Sequence, residues 1–281
     1  MSDELPAVAP AGEAGARPGG TWGSALTTPE FAAVRSVGFE PVGQVFGAAV
    51  YAAGDARGYD CPGARGSGSF GLLVEAMYLA RQTAVGRMAA ECAGLGGHGV
   101  VGVRLRRGPF RLGGLEFTAI GTAVRAPGAA HGRGAPFTSG LSGQDFARLI
   151  TTGWVPAGLA LGISIGSRHD DRTTARQTRQ WSGNVEVAGW TELVSESRHD
   201  ARRALEGDVR RLGAEGVVIA GMQLRVREQD CPAAAGRHDH IVEATITGTA
   251  IARFAPAGHH RASPALTVMP LGPQKATSDS R

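Results

Sequence analysis

Residues 74–101 read VEAMYLARQTAVGRMAAECAGLGGHGVV, and residues 191–218 read TELVSESRHDARRALEGDVRRLGAEGVV. At a shift of 117 the two stretches share Glu75/Glu192, Arg81/Arg198, Ala84/Ala201, Leu95/Leu212, Gly96/Gly213, Gly99/Gly216, Val100/Val217 and Val101/Val218. In the first stretch Val74, Met77, Tyr78, Arg81, Val85, Met88, Cys92 and Leu95 fall three or four apart. That spacing predicts a helix of about 22 residues with one buried stripe. Trp190, Val194, Ser197, Ala201, Leu205, Val209 and Leu212 repeat the pattern in the second. Glycines at 94, 96 and 213 mark the ends, where the chain turns left-handed. Gly-Val-Val after each helix opens a strand.

Working outward, the repetition continues in the same order. At a shift of 115, Ser24–Gly47 falls on Ser139–Gly162, with Ser24/Ser139, Leu26/Leu141, Phe31/Phe146, Ala32/Ala147, Gly38/Gly153, Pro41/Pro156, Gly43/Gly158 and Gly47/Gly162 identical. At a shift of 127, Glu116–Val124 falls on Glu243–Ile251 and repeats Gly-Thr-Ala. Each repeat opens with a short helix: Thr28 and Pro29 form one helix start, Ser142 and Asp145 approach a capping box in the other. Strands are expected at 42–51, 99–105 and 116–124, then at 155–165, 216–226 and 240–251. The unit is β-α-β-β, an α+β fold with one long helix on a small, mainly antiparallel sheet. Residues 1–20 and 256–281 read as disordered segments, 21–125 and 137–255 as the two domains, and 126–136 as a linker.

Composition narrows the function. The 281 residues carry 29 basic and 25 acidic side chains, interspersed, with 6% aromatics. A nucleic-acid protein would gather its cations on one face. No apolar run is long enough to span a bilayer and the N-terminus has no secretory-signal pattern, so a cytoplasmic protein is expected. Three cysteines (Cys61, Cys92, Cys231) make no disulfide framework.

Two motifs fail on context. GLGGHG (94–99) closes a helix and opens a strand, the reverse of a dinucleotide site. GISIG (162–166) precedes a polar stretch where a nucleophile elbow needs a helix, and Ala49 replaces Ser164 in the first repeat. Metal ligation has two candidates. Cys92 and His98 lie at one helix end and pair a thiolate with an imidazole. His238 and His240 flank Asp239 at the start of a strand, where an i, i+2 pair shares one face. Cys231 is near them in sequence, and His169, Asp170 and Asp171 form a further polar group able to add ligands. A soft divalent ion (Zn, Cu or Ni) suits these donors. The recurring Glu75, Arg81, Glu192 and Arg198 are polar, and either pair across subunits or form ordinary surface ion pairs.

EAMYLARQTAVGRMAAECAGLGGHGVVGV (75–103) and LEFTAIGTAV (115–124) resemble the YbjQ-like family of heavy-metal-binding domains. There an Ala-rich helix with Ala-Arg runs into Leu-Gly-Ala-x-Gly/Ala-Val-Val-Gly-Val, and the domain ends at Gly-Thr-Ala-Val. The first repeat departs at Gly97. The second keeps LGAEGVV (212–218) and GTA (248–250) but has Ile219-Ala220 where Gly-Val would follow. The family's Gly-Gly-Arg segment is blurred in both copies, at 63–68 and 181–183. The resemblance implies dodecin-like β-α-β-β units and homo-oligomeric rings, pentamers among single-domain relatives, and brings no established catalytic activity with it. The expectation is therefore a non-enzymatic binding or assembly protein with itself as partner. A ligand-free scaffold and an enzyme of unrecognised type are the alternatives.

Overall fold

The computed structural model describes residues 23–51, 70–111, 114–128, 134–178, 183–231 and 238–253. Cys61, His259, His260, both terminal segments, the whole 63–68 stretch, residues 181 and 182 and the middle of the linker lie outside them.

The first half runs α1 (Thr28–Ser36), β1 (Glu40–Tyr51), α2 (Gly71–Gly94), β2 (Gly99–Pro109) and β3 (Leu115–Arg125). The second contains β4 (Phe137–Thr138), α3 (Gly143–Thr151), β5 (Trp154–His169), α4 (Arg172–Gln177), α5 (Ala188–Arg211), β6 (Gly216–Asp230) and β7 (His238–Arg253). The α+β expectation holds. The sheets have the orders β1-β3-β2-β4 and β5-β7-β6, with the last long strand of each half in the middle. All pairings of long strands are antiparallel. No helix among the described residues is long and apolar enough to cross a membrane.

Local chemistry sets the helix starts. The Glu30 carboxylate accepts from both the N–H and the hydroxyl of Thr27, at 2.7 Å each. Thr27 rather than Thr28 is therefore the cap, and Pro29 sits one position further in. The Thr27 N–H holds the Glu30 carboxyl below its ordinary range. Ser142 caps α3 by accepting from Asp145 N at 3.1 Å.

The buried line of α2 is Met77, Ala80, Ala84, Met88 and Cys92. It is turned from the expected stripe toward the alanines, because α2 lies closest to β1 where Gly47 has no side chain. An added Cβ there would meet Ala84 O at 2.0 Å. Gly162 faces α5 in the same way, against Ala201 O at 2.0 Å.

Three features depart from the sequence reading. β4, at the start of the second half, joins the first sheet in parallel with Gly99 and Val100 of β2. The polar stretch after GISIG is a continuation of β5 followed by α4, capped by the Asp171 carboxylate, which accepts from Thr174 N at 2.7 Å. The strands also run longer than their apolar patterns, since polar residues at their ends still pair across the ladder.

The halves pack closely. Leu161 and Ile163 of β5 complete the core formed by α2 and the first sheet. The Tyr78 hydroxyl donates to Leu161 O (3.3 Å) and accepts from Ile163 N (2.8 Å). Phe39, Phe137 and Phe146 pack ring against ring, with Phe39–Phe146 centroids 5.1 Å apart. A bidentate ion pair joins Arg107 of β2 to Glu243 of β7.

Candidate metal centre

At the far end of the second sheet three strand termini meet. The ladder sets His169 of β5 opposite Asp239 of β7, and Asp239 opposite Gln229 of β6. Cys231 follows β6 directly and is buried. One donor atom from each of His169, Cys231 and Asp239 lies within 4.8 Å of the other two. Asp239 is fully buried, and its Oδ1 is 2.7 Å from His169 Nδ1. Imidazole nitrogen, thiol sulfur and carboxylate oxygen form a donor set suited to Zn²⁺ and its soft neighbours. The three residues fit a metal ion in chemistry and spacing.

The strand period decides which side chains take part. His238 and His240 share one face as expected, and Asp239 points to the other. His238 Nδ1 faces Glu228 (3.3 Å) and Asp230 (3.2 Å). His240 Nε2 lies 3.0 Å from Asp170 Oδ1, and its ring packs on Trp190 at 4.7 Å. Neither histidine belongs to the three-donor group. The expected His238–His240 convergence is thus corrected: their partners are different carboxylates, and only Asp239 of that trio reaches the centre. Two positions along β7 on the face of Asp239, Ile241 packs on Phe70 beside the start of α2. The centre therefore lies on the side of the second sheet that meets the first half.

Cys92 and His98 belong to no group of three donors among the described residues. The Cys92 thiol is buried in the core and donates to Gly99 O at 3.3 Å. Burial pushes it up to about 11. His98 Nδ1 accepts from Ala126 N at 3.0 Å, fixing the chain after β3. Cys92 should remain unmodified by iodoacetamide in native protein at pH 8 and react once the chain is unfolded. Peptide mass mapping checks this.

Two of the recurring polar residues, Glu192 and Arg81, have local partners. Glu192 pairs with Arg168 at 2.5 Å. Arg81 lies over the Phe117 ring, 5.1 Å from its centroid. Gly94 ends α2 and Gly99 begins β2, while the whole GISIG stretch is strand.

The fold and this centre define an α+β protein of two mainly antiparallel sheets with mixed nitrogen, sulfur and oxygen donors at one sheet end. A family model described as "Putative heavy-metal-binding", the YbjQ-like family, matches residues 39–127. The chain is 36% identical over 237 residues to the encapsulin nanocompartment protein Rv1762c of Mycobacterium tuberculosis, an alignment covering 82% of this chain and 85% of that protein. Residues 39–127 thus form a domain of the YbjQ-like family, and the chain belongs to the same family as that mycobacterial protein.

Proposed function

We propose that this is a non-enzymatic assembly protein. Its halves are copies of one unit, and separate chains join head to tail by repeating the junction already present inside each chain. Matched contacts support the equivalence of the halves. Phe46 N donates to Glu91 as Leu161 N does to Asp208, at 2.6 and 2.8 Å. Ala25 N donates to Thr122 Oγ1 as Gly140 N does to Thr249 Oγ1, both at 3.0 Å. His98 N donates to Val124 O as Glu215 N does to Ile251 O, at 2.8 and 3.0 Å.

One observation carries the reading: equivalent positions are covered at the internal junction and bare at the two ends. Leu161 of β5 is 8% exposed under α2, while its counterpart Phe46 on β1 is 50% exposed. Val101 of β2 is fully buried, while its counterpart Val218 on β6 is 37% exposed. The outer edge of β2 binds the segment 137–141: Ser139 N donates to Val100 O, Val103 N to Ser139 O and Gly102 N to Leu141 O. The outer edge of β6 is unpaired among the described residues. Ile219, Met222 and Val226 also stand exposed on β6. Exposed edges and apolar patches of this kind mark association surfaces. Residues 23–26, the counterpart of 138–141, would supply the missing edge partner from the next chain. Such a heterologous contact gives a ring when its rotation closes. A relative named as an encapsulin nanocompartment protein is consistent with a chain that works in an assembly. We take it to act in the cytoplasm.

Light scattering should give a particle of several chains, not 28.9 kDa. Phe46→Asp and Ala220→Pro should each break one side of the contact, the latter by removing the edge N–H equivalent to that of Val103. Mixing the two variants should restore a single contact and produce a two-chain species, which misfolded variants could not do. A wild-type monomer, or variants that assemble like wild type, would refute the head-to-tail reading.

The same module would hold one soft divalent ion through His169, Cys231 and Asp239. Added Zn²⁺ should bind saturably in calorimetry and raise the melting temperature. At a hundredfold excess over Kd the gain is about 2.7 kcal/mol. Asp239→Asn should remove both effects, and no saturable binding by wild type would exclude the centre.

A further inference from the structure

Between β2 and the second sheet runs a cleft of about 330 Å³. Its walls include Arg81, Arg106, Arg107 and Arg225, with Glu243 as the one carboxylate among its lining residues. Both Glu243 oxygens are taken by Arg107, at 2.8 and 3.1 Å. Arg81 therefore faces the cleft without an ion pair of its own among the described residues. Among the described residues its guanidinium makes one hydrogen bond, a long one of 3.4 Å to Met77 O, and otherwise lies on Phe117. A guanidinium has five donors in a planar fork suited to carboxylate or phosphate. Thr245, Thr247 and Gln223 add neutral hydrogen-bonding groups to the same walls. Burial, followed by repulsion from Arg107, brings Arg81 down to about 10 against the opposing pull of Glu243.

We propose that the cleft binds a small anion with phosphate or carboxylate oxygens, held by Arg81 inside and by Arg106 and Arg225 at the mouth. The volume suits a small metabolite or inorganic anion and falls at the lower end for ligand pockets. Clustered cations held apart by the fold lose mutual repulsion when an oxyanion enters between them, and hydrogen bonds to ionised partners are the stronger kind. None of the cleft's lining residues belongs to the His169–Cys231–Asp239 group.

The test uses the full-length chain with inorganic phosphate and with citrate, each against chloride at matched ionic strength. Calorimetry should show saturable binding of at least one probe, with a rise in melting temperature that chloride does not give. Phosphate alone, or citrate alone, would tell which oxyanion the cleft prefers. Arg81→Gln should weaken binding about tenfold or more, without lowering the stability of the unliganded chain, since it removes an unmatched charge. Arg104→Gln, on β2 but outside the cleft, should bind like wild type. Should Arg81→Gln not fold, Arg225→Gln serves in its place with a several-fold loss. Absence of saturable binding by either probe, or undiminished binding by both cleft variants, would overturn the proposal.

Discussion

Gly162→Ala should cost the chain a large share of its stability. The new Cβ would lie 2.0 Å from Ala201 O, 2.8 Å from Leu205 N and 2.9 Å from Leu205 Cβ. Two of these are backbone atoms of a helix of 24 residues, so no side-chain rotation relieves the clash. The helix must lift from β5, and Ala201, Leu205 and Val209 would separate from Ala160, Ala244 and Ile246 beneath them. Overpacking in cores costs typically 1–3 kcal/mol; a clash against helix backbone lies at or beyond the upper end, in a domain whose whole stability is about 5–15 kcal/mol. Gly47→Ala, against Ala84 O at 2.0 Å and Met88 N at 2.6 Å, should behave alike. Gly207→Ala is the control. It lies in the same helix, with nothing within 4 Å of the added Cβ. Gly to Ala in an open helix position stabilises by about 0.5–1 kcal/mol. Urea denaturation of the three variants should give two large losses and one small gain. An unchanged midpoint for Gly162→Ala would mean that α5 does not sit on β5 as described.

The same two glycines show what the sequence could reveal. Gly47 and Gly162 appear in the repeat alignment as one identity among several, and only the helix backbone above them explains why a side chain is excluded. Strand and helix types were readable because their signal is local: a three-to-four period over 74–95, and Gly-Val-Val after each left-handed turn. The pairing of β4 with β2 was not, because two residues of parallel ladder carry no pattern of their own. Of the expected metal residues only Asp239 joins the three-donor group, for a related reason. Alternation correctly puts His238 and His240 on one face, but the partners of Asp239 depend on the register of β5, 70 residues away in sequence. His169 and Cys231 were visible as polar neighbours. Nothing local says that a strand end and a post-strand cysteine converge on one carboxylate.

Glu243→Gln should have the second large effect, in two opposite directions. The carboxylate receives two hydrogen bonds from Arg107, and the side chains are only 13% and 19% exposed. Removing one member of a buried pair leaves the other charge uncompensated, at a cost of about 3 kcal/mol. The loss here is aggravated by Arg81, which already shares the cleft with Arg107. Stability measured in chloride should therefore fall, and replacing both partners, Arg107→Met with Glu243→Leu, should recover most of it, because the paired apolar side chains need no counter-charge. Anion binding should move the other way. Without Glu243 the cleft has cations and no competing carboxylate, so phosphate should bind Glu243→Gln more tightly than wild type and restore more of its melting temperature. A merely structural ion pair would lower stability equally in phosphate and chloride. Divergence of the two titrations in this variant is thus the measurement that separates a strut between the halves from one wall of an anion site.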